Sequence, residues 1–283
     1  METEKIKAGN NGNDKMAENS RGSGPNSNGP DRSSENGRPQ TQHPREKETV
    51  FTFKRLEKKY MLSSDRYEAF MREAGEHLIP DEYHKSLVCS LYYDTENYAL
   101  IRHSLDKPVY KEKLRVRSYG VPAEDGTAFV ELKKKYKGIV YKRRVQMTPL
   151  QAERWLSGEA PAPMDTQITR EIDWFLKMNP VSPKMLIACD RTSWKDRDNP
   201  ELRFTFDSGI RCREEQLRLT EGDHGRELLE EGFCLMEIKI PGAAPIWLAR
   251  LLSNEKIFPS SYSKYGTGYR NKIAETGAVG AAE

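Results

Sequence analysis

Charged side chains recur at every second position through one strand-like segment after another, and this alternation limits what the 283-residue chain can become. Residues i, i+2 and i+4 of a strand share a face. The rows run Arg55, Glu57, Lys59; Lys113, Arg115, Arg117; Glu131, Lys133; Lys142, Arg144, Gln146; Arg191; Arg203, Thr205, Asp207; and Glu237, Lys239. Between them lie apolar residues: Leu56; Leu114 and Val116; Val130 and Leu132; Leu202, Phe204 and Phe206; Met236 and Ile238. A single strand of this kind ordinarily turns its charges to water. Seven of them, several mixing acid with base at i, i+2, fit apolar faces packed outward on helices and ionic faces around a hollow.

Strand signals cover Phe51–Tyr60, Ser86–Tyr93, Val109–Tyr119, Ala128–Lys135, Ile139–Met147, Leu186–Trp194, Leu202–Ile210 and Phe233–Ile240. A helix after Ser63-Ser64-Asp65 places Tyr67, Phe70, Met71, Ala74 and Leu78 on one stripe, with Pro80 as its stop. Thr148 and Gln151 form a capping-box pattern ahead of a helix over Pro149–Leu156. Further helices are predicted over Thr166–Met178 and Pro245–Ser253. Eight strands and few helices predict an α+β fold: an eight-stranded antiparallel β-barrel with flanking helices.

Burying about ten charges dry is prohibitive, at several kcal/mol each even after relaxation. The hollow must then hold water and a polyvalent counter-ion. Lys107 to Arg144 carries twelve Lys or Arg against four Asp or Glu, so the counter-ion is an anion, and Arg matches phosphate bidentately. The acidic minority is left to hold a hard cation through oxygen ligands.

Outside this body the sequence says less. Residues 1–48 contain no aromatic residue and five hydrophobic ones, too few to offset ordering entropy, so they read as a disordered tail. The domain runs over 50–272, and 275–283 reads as a frayed C-terminus. No apolar run is long enough to span a membrane, and Met1-Glu2-Thr3-Glu4-Lys5 predicts no secretory signal. Cys89, Cys189, Cys212 and Cys234 are scattered and read as reduced core fillers, which predicts a cytoplasmic protein. The five histidines lack metal-ligand spacing. Asp94 reads as a turn cap. Lys133-Lys-Lys-Tyr-Lys137 before Gly138 reads as a rim or turn, and no aromatic row interleaves with the basic rows as nucleic-acid binding requires.

In order, the chain presents Arg55-Leu-Glu-Lys-Lys-Tyr60, Tyr92-Tyr-Asp-Thr95, Lys113-Leu-Arg-Val-Arg117, Phe129-Val-Glu-Leu-Lys133, Tyr141-Lys-Arg-Arg144, Asp190-Arg-Thr192, Arg203-Phe-Thr-Phe-Asp207, Glu237-Ile-Lys239 and Ser263-Lys-Tyr265. This ordered set resembles the VTC domain, the catalytic domain of the vacuolar transporter chaperone polyphosphate polymerase, in the triphosphate tunnel metalloenzyme (CYTH-like) superfamily. The resemblance implies an eight-stranded tunnel open at both ends, a Mn²⁺ or Mg²⁺ ion, and transfer of the ATP γ-phosphate to a growing polyphosphate chain. It implies phosphate contacts and catalysis by Lys59, Arg115, Arg117, Lys133, Arg191, Arg203 and Lys264. Lys142 and Arg144 fall on the family's basic strand; Arg143 beside them leaves the inward phase open. Arg55, Lys113 and Lys239, from the same rows, complete the expected substrate-binding set. Glu237 matches the family's metal-binding glutamate, and Glu57 and Glu131 fall where related enzymes place further carboxylates. Asp207 either orders Arg203 or joins the metal.

Where the superfamily reads Glu-x-Glu-x-Lys, this chain reads Arg55-x-Glu57-x-Lys59. Hydrolysis needs a base for water, whereas a polyphosphate end is already anionic. The lost carboxylate therefore favours an ATP-dependent polymerase, with positioning and charge neutralisation supplying catalysis. An inorganic triphosphatase or cyclase of the same superfamily and a non-catalytic polyphosphate or nucleotide-binding module stand as alternatives. The partners expected are ATP and polyphosphate, with no nucleic acid and no membrane insertion, though a separate membrane protein partner is conceivable.

Overall fold

The computed structural model describes residues 55–279. The chain divides after Val50, and the tail expected over 1–48 lies outside the described residues. In chain order the elements are β1 (Arg55–Ser63), α1 (Ser64–Ala74), β2 (Leu78–Thr95), α2 (Ala99–Leu105), β3 (Tyr110–Tyr119), β4 (Ala128–Tyr136), β5 (Ile139–Met147), α3 (Pro149–Leu156), α4 (Gln167–Met178), β6 (Val181–Asp196) and β7 (Arg203–Arg213). A 3-10 turn (Leu219–Glu221), β8 (Arg226–Glu227), β9 (Phe233–Pro241), α5 (Ile246–Asn254) and α6 (Lys264–Val279) follow. No described helix is long and apolar enough to cross a membrane.

The strands form one antiparallel sheet in the order β1-β9-β7-β6-β2-β3-β4-β5, with β8 attached to β7. The fold is α+β as expected, but the expected eight-stranded barrel is not closed. Strands β1 and β5 end the path and do not pair with each other. Even so, Glu57 and Lys59 of β1 line the same cavity as Val140 and Lys142 of β5. The accumulated twist of neighbouring strands rolls the sheet until its edges share a hollow that no ladder bridges.

Local chemistry explains the element ends. Thr148 Oγ1 accepts from the Gln151 N–H at 3.1 Å while Gln151 Oε1 accepts from the Thr148 N–H at 2.9 Å, the predicted capping box. Lys137 and Gly138, at φ 47° and 85°, make the two-residue turn between β4 and β5. Helix α1 stops at Ala74, short of the predicted Pro80. Leu78 and Pro80 instead open β2, where a register shift between Pro80 and Lys85 accommodates a residue that lacks an N–H. The C-terminus predicted to fray from 275 is helical to Val279, and Arg226 of β8 ion-pairs with Glu275.

Three apolar clusters hold the sheet. On the outer face Leu114, Val130, Leu132 and Leu186 pack against Trp155 and Leu156 of α3 and Ile172 and Phe175 of α4. Also outside, Phe204, Phe206, Met236 and Ile238 pack against Phe70 of α1 and Leu248 and Leu251 of α5. At roughly 1.5–3 kcal/mol for each fully buried large apolar side chain, these layers supply the main favourable term. The third cluster lies on the inner face at one end, where Val88, Met185, Ile187, Ile210 and Leu235 meet Ile101 of α2 and Tyr265 of α6. Helix α6 sits so close that a Cβ on Gly268 would fall 2.4 Å from Met185 Sδ. The interior over β6, β7 and β9 is thus apolar and helix-covered at this end. All four cysteines are buried free thiols, as core fillers should be.

Candidate functional site

The inner face encloses a cavity of about 280 Å³, room for several waters. The charged groups that line it are Glu57 and Lys59 (β1), Lys113, Arg115 and Arg117 (β3), Lys133 (β4), Lys142 (β5), Arg191 (β6), Glu237 and Lys239 (β9) and Lys264 (α6). Strand register turns this into transverse rows. Tyr92, Arg115, Glu131 and Arg144 stand opposite one another on β2, β3, β4 and β5. One step along, Lys113, Lys133 and Lys142 form a row of three like charges. Directly opposed like charges destabilise a sheet.

Two acidic posts brace part of this charge. Glu131, 1% exposed, accepts from Arg115 Nε at 2.8 Å, Arg144 Nε at 2.6 Å and Lys142 Nζ at 2.6 Å. Burial opposes its ionisation, but Arg115, Arg117 and Lys142 outweigh that and hold the carboxyl far below its ordinary range. Asp207, fully buried, accepts from Arg191 at 2.6 and 2.7 Å and from Lys264 Nζ at 2.5 Å. Glu237 faces Lys59 Nζ at 3.1 Å and Lys264 Nζ at 3.6 Å. It too is held well below the ordinary range, burial being outweighed by Lys264, Lys59 and Arg191.

Arg117, Lys113 and Lys133 have no such post. Arg117 donates from Nε to Ser90 Oγ at 3.1 Å, and Lys113 donates to Ser263 Oγ at 3.3 Å. Neither these two nor Lys133 ion-pairs with a carboxylate among the described residues. The strain shows in the protonation of Lys113, Arg117 and the neighbouring Tyr92. Burial and the nearby Lys111, Lys59 and Lys133 push the Lys113 ammonium down to about 8, against some help from Tyr92. Burial would raise the Tyr92 phenol, yet Arg115, Arg117 and Lys113 around it lower it to about 8. Burial, Arg115 and Arg191 likewise lower the Arg117 pKa.

Helix α6 completes the wall. Ser263 Oγ accepts the Gly266 N–H at 3.2 Å, capping the helix whose first residue is Lys264. Tyr265 stacks on Tyr92 with ring centroids 4.6 Å apart and donates its hydroxyl to Asp94 Oδ2 at 3.0 Å. Asp94 also accepts the Leu100 and Ile101 N–H groups at 2.9 and 3.0 Å, so it caps α2, as read, and anchors α6 as well.

Most of the predicted set therefore meets in one place: Lys59, Arg115, Arg117, Lys133, Arg191, Lys264, Lys113, Lys142, Lys239, Glu57 and Glu237. Arg203 does not line the cavity. Its Nε donates to Pro200 O at 3.4 Å and its guanidinium faces Asp81 at 3.7 Å, because the 197–202 turn just before β7 lies nearer than the interior. Asp207 accordingly orders Arg191 and Lys264, not Arg203. Arg144 points inward in phase but stacks over Phe129 at 4.2 Å and braces Glu131 rather than lining the hollow. Arg143 faces outward to Glu171 of α4 at 2.7 Å, which settles the phase of β5. The expected contact of Arg55 lies outside the described side chains. Sequence reasoning missed Tyr92, Ser90 and Ser263 as lining residues. The first two sit in the uncharged stretch 86–93 of β2, and Ser263 follows no strand pattern.

No three His, Cys, Asp or Glu side chains converge among the described residues, so there is no all-protein cation cage. Glu131 and Asp207, expected as metal ligands, spend their oxygens on Arg and Lys. Glu57 and Glu237 lie diagonally across the β1–β9 ladder, with Glu57 opposite Lys239 and Glu237 opposite Lys59, and both face the cavity. Such a pair suits a small hard cation that takes one or two carboxylates and fills its shell with phosphate oxygens and water.

Among curated proteins none matches the chain. Several solved structures are similar at low identity. A proposed adenylate cyclase from Bacillus halodurans is 12% identical with a TM-score of 0.48, covering 73% of this chain and 92% of its own. HpAC1 from Hippeastrum, a proposed adenylyl cyclase described as having a dominant triphosphatase activity, is 13% identical with a TM-score of 0.42, covering 78% and 95%. The PH1819 protein of Pyrococcus horikoshii is 10% identical with a TM-score of 0.40, covering 77% and 99%. The VTC domain family model matches residues 54–272, which takes in every element from β1 through the first half of α6, and the chain belongs to that family.

Proposed function

We propose that the cavity binds the triphosphate of ATP and that the protein is a polyphosphate polymerase, passing the γ-phosphoryl group to the end of a growing polyphosphate chain. One observation carries the reading. Arg117, Lys113 and Lys133 face the cavity with no carboxylate partner, while Lys113 and Lys133 stand directly opposite each other. An array that repels itself in the empty protein is complementary to a polyvalent anion.

In the proposed reaction a terminal phosphate oxygen of the acceptor chain bonds to the γ-phosphorus as the bond to the β,γ-bridging oxygen breaks, and ADP leaves. No water is deprotonated and no base is required. Arg115 and Arg191, fixed by Glu131 and Asp207, present donors without needing to reorganise as charge moves on the phosphoryl oxygens. Arg117, Lys113 and Lys133 neutralise the chain. A divalent ion, Mn²⁺ or Mg²⁺, would be held by Glu237 with Glu57 and would supply further charge neutralisation on the phosphates.

A hydrolytic reading has one feature in its favour: Glu57 is an exposed carboxylate at the cavity, able to take a proton from water. Incubation of the purified chain with ATP and Mn²⁺, followed by phosphorus NMR, separates the two. Mid-chain phosphate resonances with equimolar ADP are expected, and Glu237→Gln should reduce their formation. Orthophosphate as the only new phosphate species means hydrolysis. Binding without turnover means a non-catalytic module.

A further inference from the structure

Beyond the cavity, the lysine rows continue. Lys111 follows Lys113 on the same face of β3 and stands opposite Lys135 of β4. Lys113 stands opposite Lys133, which in turn stands opposite Lys142. Three successive like-charge cross-strand pairs result, in a geometry where such pairs cost stability. Lys111 itself is half-buried and reaches Ser104 O at 3.0 Å. Burial and the fields of Lys135, Lys107 and Lys133 lower its pKa, which places all three lysines within electrostatic reach of it.

The outer face of the same strands is organised differently. Glu112 and Glu171 pair there with Lys134 at 3.7 and 2.8 Å, and Glu171 also pairs with Arg143 at 2.7 Å. One face is thus neutralised side chain by side chain, and the other is left positive from the cavity to the rim. At this same end α6 covers the interior over β6, β7 and β9 with apolar contacts. The route that stays polar runs beside α6, over β3, β4 and β5.

We propose that Lys111, Lys135 and Lys107 form an external track for a linear polyanion, along which a polyphosphate chain leaves or enters the cavity beside α6. The track rests on the triphosphate reading of the cavity and extends it, assigning the rim at the β3–β4 end to the chain and the opposite mouth, near Glu57 and Lys239, to the nucleotide. The three exposed tyrosines of this region, Tyr110, Tyr136 and Tyr141, fall in the outward phase of their strands with Glu112, Lys134 and Arg143. The track therefore lacks the stacking platform that single-stranded nucleic acids use.

The test compares the full chain with Lys107→Gln/Lys135→Gln, both sites being exposed, and with the outer-face control Lys134→Gln. Two probes are titrated, tripolyphosphate and long-chain polyphosphate, across a salt series. For the double variant, long-chain affinity should fall about tenfold (about 1.4 kcal/mol) while tripolyphosphate affinity stays within about twofold. The slope of log affinity against log salt should drop by roughly 1.4 for two lost phosphate contacts on a single-stranded polyanion. The control should leave both probes unchanged. Equal losses for both probes, an unchanged long-chain affinity, or an equal effect from Lys134→Gln would overturn the track. So would a single-stranded oligonucleotide that binds as tightly as polyphosphate and is weakened equally. If the unmutated chain binds neither phosphate probe, the cavity reading fails first, an outcome distinct from all of these.

Discussion

Replacing Lys113 with methionine should make the anion-free protein more stable. In the folded chain Lys113 gives up its proton near pH 8, against an ordinary value of 10.5. At 1.36 kcal/mol per pH unit, keeping that charge at neutral pH costs the folded state about 3 kcal/mol. Methionine matches the length of the lysine stem and removes the charge. It also forfeits the donation to Ser263 Oγ at 3.3 Å, a loss of about 1 kcal/mol. The net gain is about 2 kcal/mol, or roughly 4–8 °C in Tm for a domain of this size. The pH dependence carries the stricter test. Because the folded pKa lies below the unfolded one, the penalty is complete below pH 8 and is relieved as pH rises from 8 to 10.5, where the unfolded chain alone holds the proton. The advantage of Lys113→Met should therefore be largest at pH 7 and nearly gone by pH 10.5. Circular-dichroism melts of both proteins across this range, with and without tripolyphosphate, make the comparison. Saturating tripolyphosphate should reverse the order at pH 7, since it stabilises the unmutated protein more. A variant that melts lower at pH 7 without anion, or an advantage that does not shrink with pH, refutes the idea that Lys113 is held against its own preference.

Glu131→Gln should act in the opposite sense, because three cations lose their shared buried anion; about 3–5 kcal/mol of stability should go, read as a fall of roughly 10 °C in Tm at pH 7. The unmutated Glu131 contributes fully above its unfolded pKa and loses that contribution only as pH falls through its depressed folded value, so the gap should narrow in strong acid. Tyr265→Phe leaves Asp94 without the hydroxyl donor that ties α6 to α2 and should cost about 1–3 kcal/mol in urea unfolding. Burial and Asp94 raise the Tyr265 pKa, so its contribution is complete below pH 10 and declines above it, and the two proteins should converge in that alkaline range.

The cavity was legible in the sequence because its signal is periodic. Lys113, Arg115 and Arg117 share a face wherever β3 lies, and only their direction, inward or outward, had to be inferred. The two missed helices had no comparable signal. Helix α2 takes its cap from Asp94 and Thr95, four to seven residues upstream, across the left-handed Tyr98, outside the window in which an N-cap is sought. Helix α6 opens with Lys264-Tyr265-Gly266-Thr267-Gly268-Tyr269, a poor helix former by propensity. Gly268 is required by the approach to Met185, a tertiary demand with no local trace. Arg203 went wrong for a related reason: alternation states the face a side chain starts from, but an arginine at a strand's first residue can reach the turn before it. The closed barrel was expected from strand count, from charged faces around a hollow and from the family resemblance, and none of these determines whether the last strand meets the first.

The two faces of β3, β4 and β5 show what the missing carboxylates mean. Both faces carry Lys and Arg, and both are built from the same strands with the same spacing. Outside, Glu171 of α4 answers Lys134 and Arg143. Inside, Glu131, Asp207 and Glu237 answer Arg115, Lys142, Arg144, Arg191, Lys264 and Lys59, and leave Lys113, Arg117 and Lys133 without a carboxylate. A chain able to neutralise one face could have neutralised the other with one or two further acidic residues, at a gain in stability. Such an unrelieved charge in an otherwise well-packed protein is the pattern expected where stability is surrendered to a site. The division is also chemically useful. Under the proposed reaction the arginines locked by carboxylates are stiff and suited to orient the phosphoryl group, whereas Lys113, Lys133 and Lys111 have no such anchor. In the proposed polymerisation, loosely held cations can follow a chain that shifts by one phosphate after every addition, which a rigidly paired lining could not do without breaking its own salt bridges.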